Sequence, residues 1–89
     1  MEERDRFIAY LIHVGYKGKL ISAYDTVSYY TKRYKGLLFE VAIDDRADAY
    51  CTLRVIDTKD KEVLGTFNIH FTKWQDELSE INEIDWERA

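Results

Sequence analysis

The sequence predicts an α+β fold: a small single domain with helices packed on one face of a three-stranded antiparallel meander, in the order ααβββα. Three observations carry this expectation. Apolar residues recur at helical spacing before residue 15, the period changes to two from residue 37, and a helical stripe returns after residue 72. A chain of 89 residues is one domain, 1–89, and buries only roughly 60 to 65% of its unfolded surface. With 46% hydrophobic and 15% aromatic residues it has the apolar material that disordered chains lack.

The first helix rests on "RDRFIAYLIHVG", where Phe7, Ile8, Leu11, Ile12 and Val14 gather on one face, acids stand near the start and Gly15 follows the end. A second helix is expected over residues 22–35, "SAYDTVSYYTKRYK", with Ala23, Val27, Tyr30 and Tyr34 on one stripe, Ser22 as cap and Gly36 as stop. The β-branched and aromatic residues of this segment suit a strand as well. Three strands follow, with Leu37, Phe39, Val41 and Ile43, then Ala49, Cys51, Leu53 and Val55, then Val63, Phe67, Ile69 and Phe71 facing inward. "DDRAD" and "DTKDKE" read as charged hairpin loops. The last helix opens at "TKWQDELSEIN", with Thr72 and Gln75 as a capping box and Trp74, Leu78 and Ile81 aligned.

Charge is unevenly distributed. Residues 1–72 are neutral, so the net charge of -4 belongs to an acidic C-terminal segment, 73–89, while residues 16–36 carry five basic side chains against Asp25 alone. The opening "MEERDR" lacks the basic and apolar regions of a signal peptide, and the longest uncharged apolar run, 7–12, is far short of the ~20 residues that span a bilayer. With one cysteine and no membrane segment, the expected location is the cytoplasm.

No pattern of catalytic residues emerges, and no cofactor or metal is expected. Cys51 falls on the inward side of its strand, where a free cysteine is a small core hydrophobe. His13 sits in the last turn of a helix, where the dipole favours an imidazolium, and His70 falls on the outer side of its strand. Neither histidine has ligand spacing to Cys51. Asp44, Asp45 and Asp48 crowd one loop but lack the alternation and glycine of a calcium loop.

Function is therefore expected to lie in binding. The leading expectation is a non-enzymatic protein-binding, regulatory or inhibitor protein, of the size and charge of small acidic inhibitors carried by phages and other mobile elements. In "EINEIDWERA" the large apolar residues Ile84 and Trp86 alternate with Asp85 and Glu87, the pattern of a docking segment. The alternative is a nucleic-acid-binding module using residues 16–36, in which Tyr29, Lys32 and Arg33 share the outer side of the expected helix. The last strand, 63–71, has no lysine or proline to block edge pairing, which suggests a homodimer.

Overall fold

Five strands form the sheet where the sequence predicts three. The computed structural model describes residues 3–20, 27–46 and 49–84. Helix α1 (Glu3–His13) is followed by strands β1 (Lys17–Leu20), β2 (Val27–Tyr34), β3 (Leu37–Asp44), β4 (Tyr50–Asp57) and β5 (Glu62–His70), a single 3-10 turn (Phe71–Lys73), and helix α2 (Trp74–Asn82). The strands lie in sequence order and every neighbouring pair is antiparallel. The α+β class stands, but the second helix and the three-stranded meander do not.

The correction falls on residues 22–35. Positions 27–34 pair along their whole length with β3, from Val27 opposite Asp44 to Tyr34 opposite Leu37, and β1 pairs on the other side. Five of the eight β2 residues are β-branched or aromatic, types that pack well on a pleated surface. Gly36 has φ 76°, as a helix C-terminal glycine would, but Lys35 before it has φ 52°. Two successive positive φ values between paired residues mark a two-residue type I′ hairpin turn. A glycine with positive φ serves either ending, which is why the sequence reads both ways.

Helix α1 ends as predicted, at a Schellman motif. The Tyr16 N–H donates to the Leu11 carbonyl at 2.9 Å, the Gly15 N–H donates to Ile12 at 3.2 Å, and Gly15 takes φ 106°. Phe7 and Leu11 are buried, whereas Ile12, placed on the apolar face by its spacing, is 58% exposed. Helix α2 is not capped by Thr72. Instead the Glu77 carboxylate reaches back to accept the His70 backbone N–H at 2.7 Å.

One apolar cluster joins both helices to the same face of the sheet: Phe7 and Leu11 from α1, alternate residues from Leu37 to Ile69, then Phe71, Trp74, Leu78 and Ile81. Trp74 is buried in this cluster with ring centroids 5.6 Å from Phe7 and 5.1 Å from Tyr10, and its indole N–H donates to Glu3 at 3.1 Å. The inward pattern is as predicted for β3 and for Cys51, Leu53 and Val55 of β4, whereas Ala49, expected inward, lies before the strand and is exposed. In β5 the register shifts so that Val55 faces Gly65 and Ile56 faces Val63, leaving Leu64 as an extra residue. That bulge turns Val63 to the outside, 46% exposed, where strict alternation would have buried it.

Candidate functional site

Strand geometry divides "YYTKRYKG" between two surfaces, because successive side chains point to opposite faces. Register places Tyr30, Lys32 and Tyr34 on the helix side, opposite Val41, Phe39 and Leu37. Tyr29, Thr31 and Arg33 lie on the face without helices. The structure therefore puts Tyr29 and Arg33 on one face, four residues apart along β2, and Lys32 on the other.

On the helix side, the hairpin β2–β3 overhangs the ends of α1 and α2 and leaves a groove of about 540 Å³. Tyr10, Tyr16, Tyr34 and Phe39 supply rings to its walls, and Leu11, Val14, Leu37, Leu78 and Ile84 supply aliphatic surface. Beside the tyrosine hydroxyls, the polar side chains lining it among the described residues are Lys32, Lys35 and Asn82, with no carboxylate among them. Each position follows from a local feature. The Schellman turn swings Tyr16 back onto the core, the type I′ turn holds Tyr34 and Lys35 at the hairpin tip, and Lys32 lays its stem over Gly15, where a Cβ would meet Lys32 Cε at 3.7 Å.

The hairpin tip is anchored to the rest of the sheet. The Thr58 hydroxyl and backbone N–H both donate to the Gly36 carbonyl, at 2.7 and 3.1 Å. Lys35 places its ammonium 5.3 Å from the Tyr34 ring centroid, a cation–π distance. Burial, with a smaller contribution from Tyr10, pushes the Tyr16 hydroxyl up to about 12. Tyr16 thus enters the groove as a neutral hydrogen-bonding group. Among the described residues, no acid forms an ion pair with Lys32. A second depression of about 430 Å³ adjoins the groove, shares Tyr10, Leu78 and Asn82, and carries Glu83.

Of the docking residues expected from the sequence, Ile84 lines the groove and is 41% exposed, while Asp85, Trp86 and Glu87 lie outside the described residues. Tyr10 and Phe39 were not among the expected site residues, and Tyr16, Tyr34 and Lys35 fell only within the broad stretch 16–36 of the alternative reading. The signal that finds Tyr34, Lys35 and Phe39 is the "KG" turn between two strand-like runs, which sets the alternation on β2 and β3 together; nothing local points to Tyr10 or Tyr16.

The remaining candidates are quieter. Burial, and secondarily the Glu77 charge, pushes the Cys51 thiol up to about 12, so it is no nucleophile at neutral pH. His70 is exposed, stands beside Tyr50 with ring centroids 5.9 Å apart, and holds Nδ1 3.2 Å from Glu77. Asp44 pairs with Arg46, and Arg4 donates to the Asp45 carbonyl at 3.0 Å. Asp48 lies outside the described residues. Among the described residues no group of three or more His, Cys, Asp or Glu side chains is placed to hold a metal ion, and no helix is long and apolar enough to cross a membrane.

Compared with protein-family models, with curated proteins and with solved structures, the chain gives no match.

Proposed function

We propose that the protein acts as a small protein-binding or regulatory domain, and that its groove holds an acidic segment of a partner protein by an apolar anchor. The observation that carries this reading is the convergence of four aromatic rings and two lysines on one groove with no carboxylate among the described residues that line it. Concave, aromatic-lined surface is where a buried anchor contributes most to protein recognition. Lys32 and Lys35 favour carboxylates flanking that anchor and disfavour a basic segment, giving selectivity as well as attraction. The groove is built on a tied-down hairpin and two helix ends, so little ordering has to accompany binding.

The test is fluorescence polarisation with a short labelled peptide carrying aspartate and glutamate on both sides of a central Leu-Leu pair. Binding is expected to weaken about tenfold, ~1.4 kcal/mol, on Lys32→Met, to recover in Lys32→Arg, and to be absent for the same peptide with lysine in place of its acids. Equal affinity for the acidic and basic peptides would refute the reading.

A further inference from the structure

The face of the sheet opposite the helices is a second surface, distinct from the groove. The core cluster accounts for both helices on one side only, so the described residues of five strands leave the other side uncovered. Among the described residues, the acids on this face are matched: Glu40 pairs with Arg54, which stands opposite it on β4, through Arg54 Nε at 3.0 Å, Asp44 pairs with Arg46, and Glu77 at its border holds the His70 ring. Lys17 and Arg33 are exposed on this face and form no ion pair among the described residues. The exposed acids Asp76, Glu80 and Glu83 lie on α2 or just past its end, on the other side. Within a chain of pI near 5.1, the charge left unpaired among the described residues of this face is therefore positive.

The apolar content of this face has a particular layout. Tyr29 on β2 and Tyr50 on β4 stand on either side of a low floor made by Ala42 and Thr52, which are paired across β3 and β4. Two strand spacings and one two-residue step put the two tyrosine Cα atoms about 12 Å apart. Tyr50 is 50% exposed. Two rings over a flat floor, with cations on the Tyr29 side, are the parts of a stacking platform for unpaired bases with phosphates held alongside. A double helix presents no base faces to such rings.

We propose that this open face binds single-stranded nucleic acid, with Tyr29 and Tyr50 stacking on bases and Lys17 and Arg33 holding the backbone. The experiment is fluorescence anisotropy with labelled oligo(dT) and oligo(U) of equal length, at low and moderate salt, using the full chain. Saturable binding to either is expected, and the stronger of the two tells DNA from RNA. Tyr50→Ala, at an exposed position that leaves the core intact, should weaken binding about tenfold, and Lys17→Met or Arg33→Met should each lower the salt slope by about one. Lys32→Met should leave oligonucleotide binding unchanged, which separates this surface from the groove. Absence of binding at low salt would overturn the proposal. So would undiminished binding by Tyr50→Ala, or full competition by inorganic polyphosphate, because charge alone would then suffice.

Discussion

Gly18 shows how one missing side chain positions another. Tyr30 lies across it in the register, and a Cβ built at Gly18 would stand 2.9 Å from Tyr30 Cε1, closer than real contacts allow. The ring uses the glycine as a floor and packs against the core. In an ordinary strand, alanine would improve on glycine by roughly 0.5 to 1 kcal/mol. Here Gly18→Ala must push the ring off its seat, so the expected outcome is a loss of about 1 to 3 kcal/mol, seen as a fall of several degrees in thermal unfolding. A variant as stable as the parent would show that Tyr30 is free to move. Lys35 is the opposite case, a residue with a Cβ held at φ 52° by the turn it occupies.

At the ends of strands and helices, short-range contacts decide where each element stops. Phe71 N donates to the Ala49 carbonyl at 2.9 Å, so antiparallel alternation turns the His70 N–H away from β4, toward the open edge. Glu77 takes that donor, closing one end of the β5 edge, and the bulge at Leu64 twists the other. The edge left between them is shorter than the run 63–71 that suggests a homodimer. Burial raises the Glu77 pKa, but the His70 backbone N–H, the His70 ring and the His70 and Lys73 charges outweigh it and hold the carboxyl below its ordinary 4.5. A depressed folded pKa means that the stabilisation is present above pH 4.5 and is lost as pH falls through the folded value. Glu77→Gln should therefore be less stable than the parent at neutral pH, with the difference narrowing in acid. Urea midpoints measured across that range check this, and a pH-independent difference would contradict it.

Much of this element order is legible in the sequence, and the misses have physical causes. The inward residues of β3, and those of β4 from Cys51 onward, follow from strict alternation, while Ala49 falls in the turn before the strand. Those of β5 follow from alternation only as far as the bulge, because an extra residue shifts the phase without changing composition. Residues 27–34 fit a helical stripe and a strand equally well by spacing alone. The long-range pairing with β3 settles the matter, and local pattern carries no record of it. The groove was hidden for the same reason: Tyr10, Tyr34 and Phe39 are brought together by three separate elements.

The domain has two dissimilar sides, a helix side with an aromatic, lysine-bearing groove and an open sheet side whose Lys17 and Arg33 form no ion pair among the described residues. Both depend on β2 being a strand, since a helix would place Tyr29, Lys32 and Arg33 on one surface. Lysine acetylation footprinting, read by mass spectrometry residue by residue with and without the acidic Leu-Leu peptide, examines that division directly. The structure predicts that the peptide protects Lys32 and leaves Lys17 as reactive as in the free protein. Protection of Lys17 with Lys32 still reactive would contradict it.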